Sequence, residues 1–298
     1  MKFLVTMGEG EVMSSFFTAK AKRELEKHAE VIYNKTGRFS LNKEELMKQI
    51  KGVDVLFTGW GAPRLDGDIL DCANRLKIHA HTGGSVAPYV SKEEYDRGIV
   101  VLSGNAYYAK SVAEGCLAYT LAALRRLDQY ADSMKSGGWR PEEDYNQGLI
   151  GKKVGIVGYG AIGRYYAELL KWFDVQLSIY SDYISDSELA RVGARRASKE
   201  EIFSECDVIS LHSALNDKNR GMITKNHFDL MKDGALFVNT ARAGLVDNES
   251  MYLKLQEKRI YAVLDVYEEE PLPVQNKLRE LTNVTLYPHI AGPTFDMR

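Results

Sequence analysis

The stretch 152–163, KKVGIVGYGAIG, constrains this chain more than any other. Its apolar run Val154-Gly155-Ile156-Val157 has the character of a strand buried on both faces of a parallel sheet. The run leads into Gly158, Gly160 and Gly163, spaced as G-x-G-x-x-G, and the residues after them, 164–172, carry apolar positions at helical spacing. Strand, tight turn and helix form the context in which this spacing binds a dinucleotide. The first glycine allows the turn, the second lets backbone approach a pyrophosphate, and the third lets the helix pack close to the strand with its N-terminal N–H groups facing the anion. A glycine-rich turn without a ligand would require neither the strand before nor the helix after.

The 298 residues suffice for two cores, so two domains are expected. With 39 basic against 41 acidic residues there is no electrostatic footprint for nucleic acid or an anionic membrane, which leaves small-molecule chemistry. Cys72, Cys116 and Cys206 are odd in number and widely spaced, without a C-x-x-C, and indicate neither a disulfide framework nor a zinc site. The first residues, MKFLVTMGEGE, reach Glu9 and Glu11 before an apolar leader core forms, and no run approaches membrane-spanning length. A soluble cytoplasmic protein is expected.

Before the fingerprint, the runs 2–7, 30–33, 53–58, 76–82 and 99–103 read as strands. Helices are expected over 14–27, from an Asn42 cap to about 50, and over 66–73. A long helix is expected over 108–135, with Val112, Cys116, Tyr119, Ala123 and Leu127 on its apolar stripe, ending at Gly137-Gly138. A polar loop, 139–148, leads to the fingerprint strand. Beyond it, strands are expected at 175–180, 207–212, 235–239, 261–266 and 284–287, and helices at 224–231 and 247–258. Strands alternating with helices mean α/β architecture with parallel sheets, here two Rossmann-like or flavodoxin-like domains. Residues 105–288 form the expected nucleotide-binding domain. Residues 1–104, with 289–298 as a candidate addition, lack a fingerprint and by elimination hold the substrate.

A bound nicotinamide implies hydride transfer, and reducing a carbonyl needs a proton donor, an anchor for the substrate's charge and a group that tunes the donor. Three segments at predicted strand ends offer these, where α/β sheets place their ligands. In Asn239-Thr240-Ala241-Arg242 the arginine can grip a carboxylate with a two-pronged hydrogen bond. In the segment 265–271, DVYEEEP, three successive glutamates taken alone are more often a solvated turn than a site. In Tyr287-Pro288-His289-Ile290-Ala291-Gly292 a lone histidine is as readily structural as catalytic.

Together these segments, with HSALNDKNRGMI at 212–223 and SVAE at 111–114, resemble the D-isomer-specific 2-hydroxyacid dehydrogenase family over about 97–294. The resemblance implies a split substrate domain, an inserted nucleotide-binding domain and NAD-linked interconversion of a 2-oxo acid and a D-2-hydroxy acid. The family's catalytic arginine, glutamate and histidine fall on Arg242, Glu270 and His289, Glu270 being the acid that directly precedes Pro271. His289 would protonate the alkoxide as hydride arrives, Glu270 would favour the charged imidazole, and Arg242 would hold the carboxylate and polarise the carbonyl. The resemblance places Gly158, Tyr159, Gly160, Ala161, Ile162 and Gly163 at the pyrophosphate. It also places Thr240, Ala241, Asp265 and Gly292 around the nicotinamide, adds His212 to the cofactor set, and implies a homodimer through the nucleotide domain and the long helix.

Three departures from the family stand out. Ser181 occupies the position of the usual ribose-binding aspartate, with Asp182 one residue later. A carboxylate there accepts the ribose hydroxyls and opposes a 2'-phosphate, so NAD is expected, with NADP open. The substrate loop reads His81-Thr82-Gly83-Gly84-Ser85-Val86-Ala87-Pro88 rather than Gly-x-Gly-x-Asp, so Thr82, Gly83 and Gly84 are assigned with Arg242 to the substrate through exposed amides. His79 and His81 would share one side of their strand, where a core or pocket role is favoured over metal because no third ligand is evident. Only nine residues follow His289, whereas relatives usually continue into a helix returning to the first domain; either that helix is absent or the sequence ends before it. The rival function is a nucleotide-sensing binding protein of corepressor type on the same fold.

Overall fold

In the computed structural model, which describes residues 1–140 and 146–297, the chain divides into two compact units. One comprises Met1–Tyr108 with the residues from Phe295 on, the other Ala109–Thr294. The boundaries therefore fall after Tyr108 and Thr294 rather than at 104 and 288, and His289 belongs to the second unit. The polar loop expected over 139–148 lies partly outside the described residues, as does Arg298.

The first unit contains β1 (Lys2–Gly8), α1 (Glu11–Phe16), α2 (Ala19–His28), β2 (Glu30–Asn34), α3 (Lys43–Gln49), β3 (Val55–Thr58), α4 (Gly67–Cys72), β4 (Ile78–His81), α5 (Lys92–Asp96) and β5 (Val100–Ser103). Its sheet is wholly parallel in the order β2-β1-β3-β4-β5. The helix expected over 14–27 is two helices. Thr18 interrupts it and caps α2 by accepting the Ala21 N–H at 3.2 Å, because a threonine hydroxyl competes well for the free donors of a helix start.

The boundary between units falls within α6 (Asn105–Arg125). The single long helix expected over 108–135 ends there. Arg126 takes a left-handed φ of 51°, and a separate α7 (Leu127–Lys135) follows. The second unit continues with β6 (Lys153–Val157), α8 (Ala161–Leu170), β7 (Gln176–Tyr180), α9 (Asp186–Val192), β8 (Ala194–Arg196), α10 (Lys199–Glu205), β9 (Val208–Leu211), α11 (Lys225–Leu230), β10 (Leu236–Asn239), α12 (Asn248–Gln256), β11 (Tyr261–Leu264) and β12 (Val284–Leu286). The sheet, again parallel, runs β12-β11-β10-β9-β6-β7-β8.

Period-two alternation buries both faces of this second sheet. Val154, Ile156, Val208, Leu236, Val238 and Val263 join one apolar cluster, while Val157, Ile209, Leu211, Phe237, Ala262 and Leu264 join the other. Gly155 lets α10 pack close, since a Cβ there would fall 2.3 Å from Ile202 Cγ2. α5, α9 and α10 were not anticipated from periodicity. Each begins with a reciprocal serine–glutamate cap, Ser91/Glu94, Ser185/Glu188 and Ser198/Glu201, a local S-x-x-E signal that short amphipathic patterns obscure.

Candidate active site

The glycine loop follows β6 at the point where the sheet's connections reverse, with β9 on one side and β7 on the other. Its three glycines meet three different demands. Gly158 has φ 98°, and a Cβ there would lie 2.5 Å from Ser213 N. A Cβ on Gly163 would lie 2.4 Å from the Gly158 carbonyl oxygen, so the start of α8 can sit this close only without a side chain. Around Gly160 a Cβ would meet nothing within 4 Å, which is the open approach a pyrophosphate needs. No side chain caps α8 at Gly160, so the N–H groups of Ala161, Ile162 and Gly163 remain for an anion. The loop thus fits a dinucleotide. The Tyr159 side chain is buried and its hydroxyl accepts from Arg191 Nη2 at 3.4 Å, which leaves its backbone at the loop.

After β7, Ser181 Oγ accepts the Tyr183 N–H at 3.3 Å, and the exposed Asp182 accepts from the Tyr180 hydroxyl at 3.4 Å. The sequence shows no cation close by, yet pairing of β7 with β8 brings Arg196 to this loop. Its Nη2 donates to Ile184 O at 2.8 Å and to Asp186 at 2.9 Å.

The three candidate catalytic segments leave the C-terminal ends of β10, β11 and β12, which are neighbours in the sheet. Asn239, the last residue of β10, accepts the Ala241 N–H at 3.0 Å and donates to Arg242 O at 3.2 Å, so one side chain shapes the turn carrying Thr240, Ala241 and Arg242. Arg242 is half-buried, with Nη1 on the Ala241 carbonyl at 2.5 Å. Beyond β11, Glu270 accepts the Tyr267 N–H through Oε1 at 2.9 Å and contacts His289 Nδ1 through Oε2 at 2.7 Å. A carboxylate can only accept, so Nδ1 carries the donated proton and Nε2 is left for chemistry. Both side chains are partly exposed, His289 at 45% and Glu270 at 36%, so a substrate can reach them. Glu268 and Glu269 are exposed and take no part in this pairing.

His289 has φ 55°, a left-handed conformation that a non-glycine residue adopts only under constraint. Asp265 supplies the constraint. Its two oxygens accept the N–H groups of Ile290 at 2.8 Å and Ala291 at 2.9 Å, and burial raises its pKa against these stabilising bonds. Expected beside the nicotinamide, this carboxylate is committed to the histidine turn. Further holds come from Tyr267, whose hydroxyl lies 2.9 Å from Leu264 O and 2.8 Å from Tyr287 O, and from Ser111, whose Oγ donates to Gly292 O at 3.4 Å. Gly115 lets α6 approach, since a Cβ there would be 3.2 Å from Ala291 O. Asn239, Tyr267 and Ser111 lie in the quoted motifs but had no role assigned from the sequence; for Asn239 and Tyr267, a polar residue closing or just following an apolar strand was the available signal.

His212, next to Gly158 at the end of β9, bonds Ser210 Oγ at 2.9 Å and packs on Tyr166. Burial pushes it down to about 3 from 6.5. Below pH 6.5 the unfolded chain therefore takes up a proton that the folded chain refuses, and stability falls on the order of 1 kcal/mol per pH unit toward pH 3. Buried His81, pushed to about 4, acts in the same sense. Urea midpoints between pH 7 and 4 should show this slope, and His212→Asn should flatten it; an equal slope in the variant would contradict the assignment.

In the first unit, the substrate-assigned residues Thr82, Gly83 and Gly84 follow β4. Thr82 N–H donates to Thr58 O at 2.9 Å, whereas the N–H groups of Gly83, Gly84 and Ser85 donate to no backbone acceptor among the described residues. His79 and His81 do share one side of β4, and what they share is Thr58. Among the described residues no group of three His, Cys, Asp or Glu could hold a metal.

Fold and glycine loop together define a dinucleotide-binding α/β protein. A family model described as the NAD binding domain of D-isomer specific 2-hydroxyacid dehydrogenases matches residues 117–291. Hydroxypyruvate reductase of Thermotoga maritima is 34% identical over 257 residues, covering 85% of this chain and 83% of that protein. D-3-phosphoglycerate dehydrogenase of Archaeoglobus fulgidus is 31% identical over 261 residues, covering 87% of this chain but 49% of that protein, so the chain spans about half the length of that relative. Among solved structures, the TT0316 protein of Thermus thermophilus matches with a TM-score of 0.82 and 29% identity, covering 100% of this chain and 92% of that one. The chain belongs to the D-isomer specific 2-hydroxyacid dehydrogenase family.

Proposed function

We propose that the protein interconverts a 2-oxo acid and a D-2-hydroxy acid. The contact between His289 Nδ1 and Glu270 at 2.7 Å, one strand from Arg242 and on the sheet that carries the glycine loop, is the observation that carries this reading. A bound nicotinamide dinucleotide supplies the hydride taken up at the substrate's 2-carbon. His289 Nε2 protonates the oxygen that becomes the hydroxyl, and removes that proton in the oxidative direction. Glu270 orients the ring and offsets its positive charge. Arg242 holds the substrate carboxylate and draws electron density from the carbonyl. In the first unit, the amides of Gly83 and Gly84 are suited to an oxyanion of a 2-oxo acid.

Asp182 favours NAD by opposing a 2'-phosphate, while Arg196 is already paired with Asp186. Exposed Leu127, Met134, Trp139 and Ile150 support a homodimer formed through the second unit. Three free cysteines fit a reducing cytoplasm, and no helix among the described residues is long and apolar enough to cross a membrane. Cofactor oxidation measured with glyoxylate, hydroxypyruvate and longer 2-oxo acids tests the function. NADH should be consumed with at least one of them, at a lower KM than NADPH. No oxidation with any acid would overturn the activity, and a lower KM for NADPH would overturn the cofactor preference.

A further inference from the structure

A line of polar side chains is enclosed in the first unit. His79 and His81 lie two residues apart on β4, in register with Leu56 and Thr58 of β3. Glu94 Oε2 is 2.7 Å from His79 Nδ1, His79 Nε2 is 2.8 Å from Thr58 Oγ1, and Thr58 Oγ1 is 2.9 Å from His81 Nδ1. His79 and Glu94 are completely buried and His81 is 3% exposed. The line ends at His81 Nε2, which is buried and has no hydrogen-bond partner. That nitrogen faces the Thr82–Gly84 loop, for a Cβ on Gly83 would lie 2.5 Å from it and 3.3 Å from Trp60 Nε1. Tyr89 stacks on the imidazole at 4.2 Å.

Thr58 Oγ1 has one proton to donate and no side-chain partner among the described residues other than the two imidazoles, so its proton is hydrogen-bonded when it donates to one ring and accepts from the other. Were the Glu94–His79 pair to carry net negative charge, Thr58 would donate to His79 and leave a bare lone pair on His81 Nε2. An unbalanced charge at complete burial is costly, which disfavours that arrangement. His79 Nε2–H then donates to Thr58, and Thr58 donates to His81 Nδ1. Burial, reinforced by His79, keeps the His81 ring uncharged at neutral pH, so its one proton resides on Nε2.

We propose that His81 is a specificity-determining residue, a neutral Nε2–H donor whose tautomer is set by Glu94, His79 and Thr58 and which binds a carboxylate oxygen of the substrate at the Thr82–Gly84 loop. The proposal rests on assigning that loop to a 2-oxo acid. A buried N–H without an acceptor awaits one, and the neighbouring amides of Gly83, Gly84 and Ser85 favour the same oxyanion. Gly83 closes over Nε2, so the incoming oxygen requires a shift of the Gly83 backbone, which the absence of a side chain permits.

Nitrogen NMR of histidine-labelled full-length protein with NADH tests the relay directly. His81 should show a protonated Nε2 and an unprotonated Nδ1, and oxalate should shift the Nε2–H resonance. Thr58→Val keeps the shape but removes the bridge, so it should erase the tautomer preference and weaken oxalate about tenfold or more. His81→Phe should raise KM for the 2-oxo acid by a similar factor, with a smaller change in kcat. An unprotonated Nε2, a resonance unmoved by oxalate, or a KM unchanged in both variants would overturn the proposal. A shift produced by inorganic phosphate but not by oxalate would overturn the carboxylate as ligand. Should no 2-oxo acid be turned over, the proposed reaction fails, while the tautomer and the oxalate shift still decide the role of His81.

Discussion

Replacing His289 by alanine should lower turnover of a 2-oxo acid by about two to four orders of magnitude, the range that a positioned general acid contributes, while NADH still binds. The separation follows from the architecture. The glycine loop leaves β6, whereas His289 leaves β12 at the edge of the same sheet, and no part of the loop depends on the imidazole. Single-turnover measurement with NADH fluorescence distinguishes the two effects. Turnover within tenfold of the parent would remove His289 from the chemistry, and loss of NADH binding would mean that its turn supports the cofactor instead.

The second large effect concerns a residue that need not touch the substrate. Asp265→Ala removes the side-chain acceptors of the Ile290 and Ala291 N–H groups, and with them the restraint on the left-handed φ at His289. Leaving the buried Ala291 donor unpaired costs about 1–3 kcal/mol of stability. A displacement of the imidazole by about 1 Å costs about 100-fold in rate. A variant that folds with a lowered melting temperature and loses about 100-fold in kcat is the expected result. An unchanged kcat would show that Glu270 alone suffices to hold the ring.

What was legible in the sequence was local. Gly158, Gly160 and Gly163 announce a turn between strand and helix because each glycine answers a steric demand within a few residues of chain, and the structure shows the same demands as impossible Cβ positions at Gly158 and Gly163. The strand runs were legible because burial on both faces leaves little room for polar residues. The contacts that hold the candidate site were not legible, since they depend on which strands become neighbours. Nothing near Asp265 in sequence indicates that it accepts N–H groups 25 and 26 residues later. Tyr267 likewise reaches Tyr287 O only because β11 lies beside β12. Arg196 was missed beside the loop after β7 for the same reason, as pairing of β7 with β8 returns it to that loop. The break at Arg126 carries neither glycine nor proline, so helical periodicity ran through it.

In the proposed reaction, the second sheet presents a hydride donor and a proton donor to one 2-oxo acid with fixed handedness. The most direct test is reduction of a 2-oxo acid that forms a chiral product, using NADH carrying two deuterium atoms at the nicotinamide 4-position and followed by chiral analysis. Deuterium bonded to carbon 2 of the D-2-hydroxy acid is expected with the parent protein, with that product formed about two to four orders of magnitude more slowly by His289→Ala. The L-isomer, or a product without deuterium at carbon 2, would contradict it.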